Sequence, residues 1–245
     1  MRVEIVPCLS DNYAYLLVDE VAGHCAVVDA CEAEPIEKAL ARVGLPLIAI
    51  LATHHHFDHV GGNEALVVKH PGLVVYGHRS DQGRLPGLTH PLDDGDTFTL
   101  GSVPVRAHHV PGHTLGAVAY EVTPPQGARW VFTGDTLFLA GCGRLFEGTP
   151  AQMFDSLRKI ASLGDEVLVA CGHEYTASNL RFAQHLAPDD AAIQARIAEV
   201  AALRAHGEPT VPASIAVEKA TNPFLRAPDV TTFAERRAGK DSFRG

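Results

Sequence analysis

Apolar, strand-like runs near the N terminus are separated by polar turn residues. This pattern predicts β-strands at residues 3–6, 13–18 and 25–29. Residues 35–43 follow a helical period instead, with proline near the start and glycine just beyond the end. The next run, residues 47–52, is uniformly apolar and predicts a strand buried on both faces. The N-terminal part therefore predicts an antiparallel meander that continues into an α/β unit.

The same plan returns in the second half of the chain. Four strands are predicted first, at residues 97–100, 103–110, 117–122 and 130–133. A helix at residues 150–162 and a last strand at residues 166–170 follow. This repetition predicts two α/β halves that pack sheet on sheet, with helices on the outside. Residues 77–96, between the halves, are rich in glycine, proline and aspartate. We expect a surface excursion there.

Beyond residue 175 the composition shifts toward alanine, arginine and glutamine. Ile193, Ile197 and Val200 form one stripe on a predicted helix. We therefore divide the chain into a main domain, residues 1–175, and a C-terminal helical domain, residues 176–245.

Composition excludes several classes of protein. Hydrophobic residues make up 46% of the chain, yet no apolar run approaches the roughly 18 residues that a membrane span needs. We expect a soluble protein, and the N terminus lacks the charged head and apolar core of a signal peptide. Five cysteines without a Cys-x-x-Cys spacing argue against a disulfide framework and indicate a reducing cytoplasm.

The formal net charge of −9 is distributed unevenly. Residues 1–175 carry 11 basic and 21 acidic side chains, a charge of −10, whereas residues 176–245 carry 9 and 8, a charge of +1. The acidic body would repel nucleic acid, and no basic stripe with interleaved aromatic residues appears. We expect a small-molecule substrate instead, with no nucleic acid or membrane partner and a monomeric chain.

Metal-binding residue types are concentrated directly after the buried strand. Residues 53–62 read Thr-His-His-His-Phe-Asp-His-Val-Gly-Gly. Because side chains alternate in an extended segment, His54 and His56 point one way and His55 points the other. The aspartate and the last histidine follow a turn and point at a neighbouring position. One histidine pair and one aspartate–histidine pair predict two metal ions.

Three later residues share one context, since each follows a predicted strand and a glycine that lets the backbone approach closely. With the first cluster they give seven ligands: His54, His56 and His113 for one ion, Asp58, His59 and His173 for the other, and Asp135 as the bridge. A nitrogen and oxygen shell without sulfur suits zinc, iron or manganese. We expect two divalent ions per chain, with zinc as the first choice.

The remaining histidines of interest lack a matched set of ligands nearby. We expect His55, His108 and His109 to lie in the core or behind the ligands. We expect His78 and His90 to be solvated loop residues. Asp29 ends the third predicted strand, and we expect it to accept a hydrogen bond from a ligand histidine.

The succession His-x-His-x-Asp-His, Pro-Gly-His-Thr, Gly-Asp-Thr and Gly-His resembles the metallo-β-lactamase superfamily. Four finer motifs, at residues 141–149, 173–176, 222–226 and 237–241, resemble the hydroxyacylglutathione hydrolases, also called glyoxalase II, over essentially the whole chain. The resemblance implies an α/β fold, the metallo-β-lactamase-like αβ/βα four-layer sandwich, with a C-terminal helical appendage. The main domain would then bind metal, and the C-terminal domain would bind substrate.

By the same resemblance, four side chains hold glutathione: Arg144, Tyr175, Arg237 and Lys240. Phe146 stands where many members of the family carry tyrosine, so a hydroxyl contact is absent there. Arg144 replaces a frequent lysine, which keeps the charge and adds a planar fork.

The expected chemistry is thioester hydrolysis. Two ions about 3.5 to 4 Å apart can share a water whose pKa falls from 15.7 toward ~7, which gives hydroxide at neutral pH. Asp58 would orient or deprotonate this water. The resemblance implies S-D-lactoylglutathione as substrate, with D-lactate and glutathione as products, and a role in methylglyoxal detoxification.

Two alternatives remain open from the sequence. The first is another hydrolase, or a persulfide dioxygenase that uses one iron, on the same scaffold. The second is a non-catalytic metal-binding or redox-sensing protein that retains the ligands. Metal stoichiometry, oxygen uptake and thioester turnover distinguish them.

Overall fold

Two six-stranded β-sheets form the centre of the protein in this computed structural model, which describes residues 1–245. In the first sheet the strands follow chain order, antiparallel from the first to the third and parallel from the third to the sixth. Its strands are β1 (Arg2–Cys8), β2 (Asn12–Asp19), β3 (His24–Val28), β4 (Leu47–Leu51), β5 (Val74–His78) and β6 (His90–Leu92), and its helices are α1 (Ala33–Val43), α2 (Phe57–Val60) and α3 (Asn63–Lys69).

The second sheet is built mainly from the second half of the chain. Its strands are β7 (Thr97–Leu100), β8 (Val103–His109), β9 (Val118–Val122), β10 (Trp130–Gly134), β13 (Leu168–Cys171) and β14 (Ala213–Ser214). Their order is β14, β13, β10, β9, β8, β7, and only the β10–β13 pair is parallel. A separate hairpin joins β11 (Leu137–Phe138) to β12 (Gly141–Cys142), and α4 (Pro150–Ala161) precedes β13.

Alternating side chains on the strands fill separate apolar layers. Tyr15 and Leu17 of β2 join a cluster of 39 buried residues to which both sheets contribute. Leu16 and Val18 point the opposite way, into a cluster of 20 residues that includes Ile36 of α1. Successive side chains of β2 therefore point to opposite faces, and every residue of this strand is buried. The predicted sandwich of two sheets with outer helices is confirmed.

One expectation is wrong, because residues 77–96 are more than a surface excursion. Part of this segment pairs with β5 as the parallel strand β6. Another part forms a short 3-10 turn in which Asp81 is fully buried. The sequence does not predict this strand, because it is only three residues long and contains proline. Sheets tolerate proline at their edges.

The C-terminal segment is helical, as expected, and it also supplies β14 to the second sheet. Phe182, Phe224 and Phe233 are buried in the same cluster as the two sheets. Ile193 and Val200, from the predicted stripe, pack in a smaller cluster with neighbouring helix residues. The helices are α5 (Thr176–Leu186), α6 (Ala191–Ala205), α7 (Ile215–Thr221) and α8 (Val230–Ser242).

The five cysteines are all buried, and none forms a disulfide. Burial raises the pKa of Cys142 to about 11 and that of Cys171 to about 12. These two thiols therefore stay protonated and behave as small apolar groups. No helix has both the length and the apolar character needed to cross a membrane.

Glu218 of α7 is a buried acid inside this fold, with 1% of its surface exposed. Burial raises the pKa of its carboxyl from an ordinary value of 4.5 to about 7. In the unfolded chain the same group ionises near its ordinary value. The folded state therefore holds a proton that the unfolded state releases, and Glu218 lowers stability increasingly as the pH rises from 4.5 to about 7.

We expect Glu218→Gln to stabilise the protein at pH 8 relative to the wild type, and to do so much less at pH 4.5. The difference between the two pH values should be about 3 kcal/mol, since one pKa unit corresponds to about 1.4 kcal/mol. Denaturant unfolding of both proteins, with metal removed by a chelator, measures it. Glu235→Gln on the exposed face of α8 is the control. A pH-independent difference would contradict the burial argument.

Candidate metal centre

Loops that leave four strands meet at one edge of the two sheets. The residues after β4, β8, β10 and β13 supply the seven predicted ligands: His54, His56, Asp58, His59, His113, Asp135 and His173. Strands that end at one edge present their loops to a common point, which is where α/β folds bind ligands. His54 and His59 are almost fully buried, with 1% and 0% of their surface exposed.

The first group consists of three imidazoles that face one another. His54 Nε2 lies 3.1 Å from His56 Nδ1, and His113 Nε2 lies 3.0 Å from the same atom. All the donor atoms of this group fall within 4.8 Å of one another. The structure therefore brings together the three residues that the sequence assigned to one ion.

The second group consists of Asp58, His59 and His173, again with donor atoms within 4.8 Å of one another. His59 Nε2 lies 3.3 Å from His173 Nε2, which in turn lies 3.4 Å from Asp58 Oδ2. These are the three residues that the sequence assigned to the other ion.

Asp135 lies between the two groups. Its Oδ1 atom is 3.3 Å from His59 Nε2, and its Oδ2 atom is 3.4 Å from both His113 Nε2 and His173 Nε2. The Oδ1 atom is buried and has no hydrogen-bond partner in the protein. A buried carboxylate oxygen without a partner is costly unless something else binds it. Its position matches the bridging role that we predicted.

Hydrogen bonds behind the cluster orient three of its histidines. The outward Nδ1 atom of His59 donates to Asp29 at 2.8 Å, that of His173 to Asp11 at 2.9 Å, and that of His113 to the carbonyl oxygen of Arg144 at 2.9 Å. Each bond holds its ring with the Nε2 atom turned inward, toward the other donors. The predicted contact of Asp29 is confirmed. An inward lone pair is the form of histidine that binds a cation.

Two residues of this outer layer escaped sequence analysis. Asp11 holds His173, and Asn12 donates to both the backbone and the side-chain oxygen of Asp58 at 3.1 Å. The sequence shows them only as turn residues between two strands. A single bridge between Asn12 and His173 brings this turn to the ligand loops, and no local pattern records that pairing.

Burial and nearby carboxylates shift the pKa values of the clustered histidines in opposite directions. Burial lowers the pKa of His54 and of His113, so both imidazoles are neutral near pH 7. Burial also opposes the charge of His173, but hydrogen bonds to Asp135 and Asp58 outweigh it and raise its pKa to about 10. The carboxylates thus attract cationic charge into a buried site. The donors present fit a pair of divalent ions.

The other histidines lie outside these groups. His55 Nδ1 faces the buried Asp81 at 3.3 Å, and His108 Nε2 contacts Glu121 at 2.9 Å. His109 donates to a backbone carbonyl and stacks on His78, with ring centroids 3.9 Å apart. His78 is therefore partly buried in a strand, which corrects its assignment to a solvated loop.

A cavity of about 760 Å³ opens beside the two groups. The four residues expected to hold glutathione all line it: Arg144, Tyr175, Arg237 and Lys240. Phe146 also lines it, and its ring packs edge-on against His56 and His113 at 5.6 and 5.2 Å. The structure therefore places the predicted substrate contacts and the ligand groups in one cavity.

Arg237 and Lys240, two basic residues of α8, differ in how many hydrogen bonds they already make within the protein. Arg237 is buried, and its guanidinium donates to the carbonyl oxygen of Cys142 and to Asp241. Lys240 Nζ donates to Ser178, and burial, assisted by nearby arginines, lowers its pKa to about 8. Tyr175 stacks on His173 with ring centroids 4.6 Å apart. Lys240 is therefore the less engaged of the two cations.

Comparison with known proteins agrees with this geometry. Residues 10–173 match the family model of the metallo-beta-lactamase superfamily, and residues 174–243 match that of the hydroxyacylglutathione hydrolase C-terminus. A hydroxyacylglutathione hydrolase from Gloeobacter violaceus is 51% identical over 92% of this chain and 88% of its own. One from Ruegeria pomeroyi is 49% identical over 99% of both chains.

The chain belongs to the hydroxyacylglutathione hydrolase family, within the metallo-β-lactamase superfamily. Solved structures show the same fold. ETHE1 from Myxococcus xanthus has a TM-score of 0.75 and 25% identity, covering 100% of this chain and 93% of its own. TTHA1623, solved in a di-iron-bound form, has a TM-score of 0.63 and 28% identity, covering 92% and 100%. Family membership and the His/Asp cluster together indicate a dinuclear site for divalent metal.

We expect Asp135→Ala to lose both ions, because its carboxylate faces both ligand groups. His55→Ala, with a neighbouring position but an outward side chain, should retain close to two ions per chain. Elemental analysis of both variants, purified with metal and then dialysed, measures the stoichiometry. Two ions in Asp135→Ala, or metal loss in His55→Ala, would contradict the assignment.

Proposed function

We propose that the protein hydrolyses the thioester S-D-lactoylglutathione to D-lactate and glutathione, and so acts in methylglyoxal detoxification. The observation that carries this proposal is the shared cavity, in which two groups of metal donors adjoin cationic and aromatic side chains. In the reaction the carbonyl carbon gains a bond to the oxygen of water and loses its bond to sulfur. The thiolate leaves as glutathione.

We propose that the seven clustered side chains hold two divalent ions, with zinc as the first choice and iron or manganese as alternatives. When bound, such ions supply Lewis acidity, which makes water nucleophilic near neutral pH and stabilises negative charge on a carbonyl oxygen. The outer hydrogen bonds to Asp29, Asp11 and the carbonyl of Arg144 would keep the histidines oriented.

Asp58 is our candidate for the residue that orients or deprotonates the attacking water. A hydrogen bond from His173 holds the pKa of this carboxyl well below its ordinary value, so it is ionised at neutral pH. Its side chain remains 41% exposed and lines the cavity. Asn12 binds one of its oxygens at 3.1 Å, which would limit rotation of the carboxylate.

Cationic side chains at the other end of the cavity would bind glutathione. Glutathione thioesters carry two carboxylates and one ammonium, whereas residues 1–175 carry a formal charge of −10. Local positive charge is therefore needed to hold the substrate. We propose that Arg144, Arg237 and Lys240 provide it and that Tyr175 packs against the substrate. In this proposal residues 176–245 contribute Arg237 and Lys240 to the substrate site, and residues 1–175 contribute Arg144 and Tyr175.

The two complete donor groups favour hydrolysis over a single-iron dioxygenase, which would need only one of them. Steady-state hydrolysis of S-D-lactoylglutathione by metal-analysed protein, followed by thiol release, tests the proposal. We expect saturable turnover that a chelator abolishes and that consumes no oxygen. Oxygen uptake with a glutathione persulfide, without thioester turnover, would support the dioxygenase. Full metal occupancy without turnover of either substrate would support a non-catalytic protein.

We expect Lys240→Ala to raise KM for the glutathione thioester about tenfold, with kcat little changed. A shielded charge-assisted contact contributes about 1.5 to 3 kcal/mol, and this one lies away from the reacting carbonyl, so it should bind ground and transition states alike. A small thioester without glutathione's carboxylates is the control substrate. Equal losses on both substrates would contradict a grip on glutathione.

The conservative variant Lys240→Arg adds a pH test of the same contact. The pKa of Lys240 is about 8, so its charge is present below that pH and is lost above it, whereas arginine stays charged. The KM of the wild type should therefore rise toward pH 9 by up to about tenfold relative to Lys240→Arg. Titration of the substrate itself cancels in this ratio. A ratio independent of pH would show that Lys240 does not bind the substrate as a cation.

A further inference from the structure

The β11–β12 hairpin connects two parts of the proposed active site. Asp135 lies just before it, and Arg144 lies just after it. Each strand has only two residues, and the whole segment is buried. Ala140, at its turn, has a φ of 55°, a left-handed conformation that costs energy for a residue with a side chain. So short a hairpin needs support from outside.

Side chains of the C-terminal segment supply that support: Asn179 donates to the carbonyl oxygen of Leu139 and Arg237 to that of Cys142, while Glu218 and Asn222 hold the rest of the hairpin. Glu218 Oε2 accepts from the backbone N–H of Ala140 at 2.8 Å. Asn222 Nδ2 donates to the carbonyl oxygens of Phe138 at 3.2 Å and Gly141 at 2.9 Å, and to Glu218 Oε2 at 2.9 Å. Asn222 has 0% of its surface exposed. It begins the motif at residues 222–226, for which the proposed function gives no role.

The residues that directly follow the hairpin contact His113 of the first ligand group and the backbone of Asp135. The carbonyl oxygen of Arg144 accepts from His113 Nδ1 at 2.9 Å and so sets which nitrogen of that ring faces inward. Gly143 lies against the backbone of Asp135, and a Cβ atom there would overlap the carbonyl oxygen of Asp135. A shift of the hairpin would therefore move the carbonyl that orients His113 and the backbone that carries Asp135.

We propose that Glu218 and Asn222 are positioning residues, through which the C-terminal segment sets the geometry of the His113 ligand group and of Arg144. Neither touches the cavity or the proposed metal ligands. Their effect passes through the backbone of residues 138–144. The proposal rests on the proposed function for its kinetic readout, but its metal readout stands independently of the substrate.

Glu218→Ala and Asn222→Ala are the test variants. Each should weaken the binding of one of the two ions by about tenfold, the lower end of the range for residues behind a metal ligand. Competition with a chelator on metal-depleted protein measures this. The visible spectrum of the cobalt(II)-substituted protein should also change, because it reports ligand geometry. In thioester turnover, kcat should fall and KM should rise, since the hairpin serves both His113 and Arg144.

Glu218→Gln should rescue both the metal affinity and the cobalt spectrum, because its amide oxygen can accept the same two hydrogen bonds. Lys219→Ala, exposed on the same helix, should match the wild type. If Glu218→Ala fails to fold, Glu218→Asp is tested in its place, because its side chain is one methylene shorter and moves the acceptor away from Ala140. Folded Glu218→Ala or Glu218→Asp, and folded Asn222→Ala, with wild-type metal affinity and spectrum would overturn the proposal. If the variants bind metal differently from the wild type but neither they nor the wild type hydrolyses the thioester, only the proposed function is refuted.

Discussion

Seven nitrogen and oxygen donors face one another at the ends of buried strands, and the rest of the structure accommodates that crowding. Neighbouring imidazole nitrogens lie only 3.0 to 3.3 Å apart in both groups, and the carboxylate of Asp135 is buried between them. Such an arrangement is unfavourable without cations, because lone pairs repel and buried charge is unsolvated. The outer hydrogen bonds orient the donors toward one another.

The C-terminal segment is part of this organisation as well as a candidate substrate grip. Its phenylalanines share the core of the two sheets, and β14 extends the second sheet. Arg237 illustrates the double role: it lines the cavity, yet it also binds the carbonyl oxygen of Cys142 in the β11–β12 hairpin. Arg237 therefore connects the wall of the cavity to the hairpin that lies between Asp135 and Arg144.

The sequence predicted which side chains would cluster, because four of them follow one apolar strand and the other three each follow a strand and a glycine. The pairing of strands carries those contexts to one edge, and the repeated α/β plan was enough to anticipate it. The roles of Asp11 and Asn12 could not be predicted in this way, since a turn with polar residues looks the same wherever it lies. The strand β6 and the hairpin were missed because two or three residues give no measurable period. The role of Glu218 was not predicted either, since only the long-range contact with Ala140 distinguishes it from other acids.

We propose that one cavity binds two ions, with Asp135 facing both ligand groups, and hydrolyses a glutathione thioester. Stepwise addition of zinc to metal-depleted protein, with thioester turnover measured at each step, tests it most directly. Activity should rise until two equivalents per chain are bound and then stay constant. Full activity at one equivalent, with no further change at the second, would contradict the shared two-ion site.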